Sequence, residues 1–112
     1  MSRTEAASFR ITAGPRGTAA AELRLSGELD LASARMLRSR VRGLLEPDRG
    51  VRRLVLDLAG LTFLDVTGLD AILETQHRLA PLGGIVVLRG PRPNVVRILT
   101  LLRLEEQLEL EP

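Results

Sequence analysis

The 112-residue chain has room for one domain with one core, and a domain of this size buries roughly two thirds of the surface its unfolded chain exposes. It holds no cysteine, which excludes disulfides, thiolate metal sites and a cysteine nucleophile and fits a cytoplasmic protein. The formal net charge is +2 and every one of the 16 basic residues is arginine. The absence of lysine excludes a P-loop, and no stretch approaches the ~20 apolar residues of a membrane span.

Residues 1–7 are polar or small and are expected to be disordered, and they contain no apolar core of a secretion signal. Ser8 to Thr12 alternates as a half-buried strand does, Gly14-Pro15-Arg16-Gly17 punctuates, and Ala19 to Leu25 resumes the alternation with Ala21, Leu23 and Leu25 on one face. This pair reads as an antiparallel hairpin ended by Ser26-Gly27-Glu28. From Leu31 to Leu45 the apolar positions Ala34, Leu37, Val41, Leu44 and Leu45 recur at helical spacing behind the natural N-cap Asp30, and Pro47 with Gly50 stops the segment. Arg35, Arg38 and Arg42 share one face of this helix, in the manner of a phosphate-contacting stripe. Single-strand binding wants aromatic platforms, and the chain offers only Phe9 and Phe63. A solvated face is therefore the reading adopted, with no direct nucleic-acid contact.

A buried strand from Arg53 closes on Asp57, a short loop follows, and the corner Asp65-Val66-Thr67-Gly68 opens a helix from about Thr67 to Ala80, with Pro81 and Gly83-Gly84 ending it. Ile85 to Leu88 is a second buried strand, parallel to the first through a right-handed crossover. Gly90-Pro91-Arg92-Pro93 makes a turn into a third helix whose inner stripe is Val95, Leu99 and Leu102. Glu105 to Leu110 alternates and adds a short edge strand. The whole chain, 1–112, therefore reads as a single α/β domain, a small mixed sheet with helices mainly on one face in the order ββαβαβα(β).

In such folds ligands and partners meet the ends of strands and the starts of the following helices. Asp30 and the Asp65 to Gly68 corner both lie there. Either the Asp65 carboxylate or the Thr67 hydroxyl can cap the helix, and Gly68, lacking a Cβ, permits a close backbone approach. Other chemistry has little support. His77, the one histidine, lies mid-helix with no nucleophile elbow, so no enzyme is expected. Asp30, Asp57, Asp65 and Asp70 match no calcium loop, so neither a metal nor a cofactor is expected.

Four stretches together resemble the STAS domains of bacterial anti-sigma factor antagonists: Gly27-Glu28-Leu29-Asp30, Leu54 to Leu58, Phe63-Leu64-Asp65-Val66-Thr67-Gly68-Leu69, and Gly83 to Val87. The resemblance covers almost the whole chain. It implies a non-enzymatic regulator that binds an anti-sigma factor, commonly a serine kinase, and so frees a sigma factor. It also implies a switch in which the kinase phosphorylates a hydroxyl residue at the start of the marked helix. That family carries Asp-Ser-Ser-Gly or Asp-Ser-Thr-Gly there; this chain has Val66 at the usual acceptor position, and Thr67 matches the second hydroxyl. Thr67 is the remaining candidate phosphoacceptor, and the reading adopted is a domain not regulated by phosphorylation at the usual position.

The expected partner surface comprises Glu28, Asp30, Asp65, Val66, Thr67, Gly68 and Leu69, with Val66 and Leu69 as its small apolar centre. The alternative implied by the resemblance is an accessory or ligand-binding STAS domain of a transport complex or signalling scaffold. Arg103 stands where that family commonly has a glycine after the third helix, which implies a left-handed residue under strain of order 1 kcal/mol.

Overall fold

The computed structural model describes residues 9–46 and 49–112. The expectations for residues 1–8 and for Pro47 lie outside the described residues. Strands β1 (Arg10–Ala13) and β2 (Ala20–Leu29) lead into helix α1 (Leu31–Leu44), then β3 (Arg53–Leu64), α2 (Val66–Leu79), β4 (Ile85–Arg89), α3 (Pro93–Leu101) and β5 (Glu109–Glu111). Short 3-10 turns at Ala80–Leu82 and Leu104–Glu106 follow α2 and α3.

The five strands lie in one sheet in chain order, with β1 antiparallel to β2 and every other pair parallel. This is the mixed α/β order expected; of the alternating tail from Glu105 to Leu110 only the last two residues join the edge strand β5, and Leu104–Glu106 is a 3-10 turn instead. Register explains the packing. Ala21, Leu54 and Val86 stand side by side, as do Leu23, Leu56, Leu88 and Leu110. These rows form one hydrophobic cluster with Ala34, Leu37 and Val41 of α1, Leu69, Ile72 and Leu79 of α2, and Val95 and Leu99 of α3. All three helices thus cover the same face, as successive right-handed crossovers in one direction require.

The other face is built from the residues in between. Glu22, Val55, Val87 and Glu109 form one row, and Arg24, Asp57, Arg89 and Glu111 the next. Val55 and Val87 are buried although the row beside them is charged. Long side chains lie over them with their charged heads paired. Arg89 reaches Glu22 at 2.9 Å and Glu111 at 3.0 Å, and Arg53 reaches Glu111 at 2.7 Å. The hydrogen bonds from Arg53 and then Arg89 hold the Glu111 carboxyl below the usual carboxylate range.

Several boundaries differ from the sequence reading. Strand β2 does not stop at Ser26-Gly27-Glu28 but continues to Leu29, because register shifts on either side of Gly27, whose φ is 90°, absorb the irregularity. The segment after Asp57 is not a loop: β3 continues through Gly60, Leu61 and Phe63 to Leu64, paired with the same extended half of β2. Gly60 fits there because a Cβ would lie 2.9 Å from the Ser26 Cβ. Helix α3 ends at Leu101, so Leu102 is exposed and only Val95 and Leu99 of the expected stripe are buried. Arg103 is left-handed, with φ 56°, as the family glycine implied.

Candidate functional site

The extra length of β2 and β3 brings two helix starts together at one end of the sheet. Leu29 pairs with Leu64, each strand then ends on an aspartate, and each aspartate opens a helix. Asp30 caps α1 by accepting hydrogen bonds from the Ala32 and Ser33 N–H groups, both at 3.1 Å. Ser33 completes the cap: its Oγ accepts from the Asp30 N–H at 2.9 Å, and its one proton is shared between the Glu28 carbonyl at 2.7 Å and the Asp30 Oδ1 at 3.0 Å. The Ser33 N–H, followed by the Ser33 hydroxyl, holds the Asp30 carboxyl below its usual value. Sequence reasoning missed Ser33 because the usual partner three residues after a cap is Glu or Gln.

At α2 the open choice between two caps resolves to Asp65, whose Oδ1 accepts from the Gly68 N–H at 2.9 Å. The half-buried Thr67 makes no side-chain hydrogen bond among the described residues. The Asp65 N–H donates to the Leu29 carbonyl at 3.2 Å, which ties the second helix start to the end of β2. Gly68 has a direct reason to be glycine. A Cβ there would meet the Leu29 carbonyl oxygen at 2.5 Å and the Leu29 Cγ at 2.7 Å, so any side chain would force α2 away from the strand.

The first helical residues, Leu31 and Val66, are apolar and 73% and 71% exposed. Phe63, paired with Glu28 just before the corner, is 45% exposed. An isolated exposed apolar residue is ordinary, but here three lie at the same end of the sheet, and together they are called the patch. Leu69 does not belong to it. Expected beside Val66 on the surface, Leu69 is 4% exposed and joins the core, because the helix turns it inward against the sheet. Gly68 is likewise buried. Glu28, Asp30, Asp65 and Thr67 are half-buried at the same end, where Leu31 and Phe63 are the exposed apolar neighbours of Val66 in place of Leu69. Leu31 was legible in principle: it follows Asp30 as Val66 follows Asp65, and it falls off the stripe of Ala34, Leu37 and Val41.

Asp57 accepts from the Ala59 N–H at 3.0 Å, and His77 is exposed on α2. Among the described residues no three His, Cys, Asp or Glu side chains gather as a metal site, and no helix is long and apolar enough to cross a membrane.

The strand order, the shared helix face and the paired helix starts define a mixed α/β domain with two helices opening at one end of the sheet. The STAS domain model matches residues 15–112, and the chain belongs to that family. An anti-sigma factor antagonist from Mycobacterium paratuberculosis is 26% identical, superposes with a TM-score of 0.76, and is matched over 94% of this chain and 86% of that one. The Bacillus anti-sigma factor antagonist SpoIIAA, known in phosphorylated and unphosphorylated forms, is similar in fold. In the unphosphorylated form the identity is 17%, the coverage 92% of this chain and 87% of that one, and the TM-score 0.73. A sulfate transporter family protein from Wolinella succinogenes, at 18% identity and TM-score 0.73, covers 88% of this chain and 80% of that one.

Proposed function

We propose that this STAS domain is an anti-sigma factor antagonist that docks an anti-sigma factor of the serine-kinase type through the paired starts of α1 and α2, and so frees a sigma factor. The observation that carries the reading is Val66: a 71% exposed aliphatic side chain on the first turn of α2, where water gains nothing from it and a partner does. The 26% identity to the M. paratuberculosis antagonist supports the class of partner. The likeness to the transporter-family protein, at 18% identity, is one of fold.

Leu31, Phe63 and Val66 supply the desolvated centre of the docking surface, and Glu28, Asp30 and Asp65 its polar rim. The same geometry explains how a phosphoryl group would act at this corner. It adds roughly −1.5 to −2 charges, which a helix N-terminus tolerates, so the domain would stay folded. A partner seated over the turn would meet bulk and like charge beside Asp65 and Asp30, and a loss of only ~3 kcal/mol weakens binding about a hundredfold. Val66 has no hydroxyl to accept the group. The proposed antagonist therefore remains competent to bind while its kinase and ATP are present.

Calorimetric titration against the anti-sigma factor of the same cell tests both parts. Val66→Asp should weaken binding at least a hundredfold while the thermal transition is unchanged, and prior incubation with the kinase and ATP should leave the wild-type affinity intact. Unchanged affinity in the variant would reject the surface. Phosphate recovered on Thr67 and lost in Thr67→Ala would reject the unregulated reading.

A further inference from the structure

The arginines of α1 do not form one solvated stripe. Arg38 turns toward α2 and grips Glu74 with two parallel hydrogen bonds, Nε to Oε1 at 3.1 Å and a terminal nitrogen to Oε2 at 2.9 Å. Because α1 and α2 each connect parallel strands in the same sense, the two helices run in the same direction, and this pair sets Arg38 opposite Glu74. One turn further along, four residues on from each member of the pair, α1 carries Arg42 and α2 carries Arg78.

These two arginines line one cleft with the Arg38–Glu74 pair, above a floor that includes Val41 and Thr75. Among the described residues neither Arg42 nor Arg78 forms an ion pair with a carboxylate. Each lies in the last turn of its helix, where the carbonyl ends favour a cation. That tolerance lets two like charges stand across one cleft, but it supplies no oxyanion to either fork. The cleft thus carries three guanidinium groups against one carboxylate, and that carboxylate is already engaged. The cleft is small, with a volume of about 50 Å³, and open to solvent. Arginine's planar fork is the donor geometry an oxyanion takes.

We propose that the cleft between α1 and α2 is an oxyanion site in which Arg42 and Arg78 clamp a phosphate-sized group. The site lies at the far ends of the helices from the docking patch and stands independently of the anti-sigma reading. The bound group is either a free phosphate ion or a phosphomonoester carried on another molecule, and the chemistry of the clamp is the same for both.

The test is an NMR titration of the full chain with inorganic phosphate at neutral pH, with total ionic strength held constant by sodium chloride, following the arginine Nε–H signals. Arg42 and Arg78 should shift along one common saturating curve, and Arg42→Gln or Arg78→Gln should weaken binding tenfold or more. Arg97→Gln, on the exposed side of α3, should leave it unchanged. A parallel titration with O-phosphoserine separates the sources: comparable affinity assigns the clamp to a phosphomonoester, and binding of inorganic phosphate alone assigns it to the free ion. Shifts that fail to saturate and spread evenly over all arginines would overturn the proposal, as would undiminished binding in the Arg42→Gln, Arg78→Gln double variant whose spectrum shows it folded.

Discussion

Gly68 and Gly43 show how one substitution changes sign with its surroundings. A Cβ on Gly68 would lie 2.5 Å from the Leu29 carbonyl oxygen, with backbone on one side and the core on the other, so neither can yield cheaply. Gly43, inside α1, has nothing within 4 Å of the same atom. Gly68→Ala should therefore destabilise the domain by about 2 kcal/mol through overpacking, whereas Gly43→Ala, in the last turn of α1, should stabilise it by up to about 0.5 kcal/mol through helix propensity. Urea denaturation measures both. Equal shifts of the midpoint in one direction would contradict the close approach that holds the two helix starts together. The caps were legible in the sequence, since an aspartate before an apolar periodic run has few other reasons to be there. What was not legible was the environment of each residue: Leu69 and Val66 look equally apolar on paper, and only the direction of the helix against the sheet buries the first and exposes the second.

The elements differ in what holds them. Helices and the central strands are fixed by apolar rows, but β5 is three residues long and lies at the edge of the sheet. Only Leu110 of that strand packs against the core, and Glu111 takes ion pairs from Arg53 and Arg89. The Glu111 carboxyl is held below the usual range by those two arginines, so its contribution is complete at neutral pH and disappears as pH falls through the depressed value. The Gly90 amide, which donates to the Glu111 carbonyl at 2.9 Å, is the reporter. Its hydrogen-exchange protection should drop on acidification before that of the β3 core amides, and Glu111→Gln should lower its protection at neutral pH and remove most of the acid-dependent change. Simultaneous loss of protection across the sheet would contradict a separately tethered strand. The order of the helices and strands followed from periodicity, but the start of the tail did not, since Leu104–Glu106 is a 3-10 turn and only Glu109–Glu111 is strand. The far half of β3 was missed because Ala59-Gly60 breaks the apolar run, and a glycine admitted by close contact with Ser26 looks in sequence like a turn.

At the scale of the molecule the sheet has two unlike faces and one end with exposed apolar side chains. Three helices cover one face, paired charges cover the other, and the apolar patch of Leu31, Phe63 and Val66 stands at the end where α1 and α2 begin. Membership of the STAS family was legible because its motifs fall at the corners of the fold, where only certain residues fit: Asp65 as a cap, Gly68 against Leu29. The patch was half legible, since its second knob, Leu31, comes from a different strand end and joins Val66 only through the pairing of Leu29 with Leu64. The measurement that bears most directly on the function is a hydrogen-exchange footprint of the chain bound to the anti-sigma factor of its own cell. Protection should concentrate on the first turns of α1 and α2 and on the end of β3 at Phe63. Protection confined to the charged face of the sheet, with both helix starts exchanging as in the free protein, would contradict it.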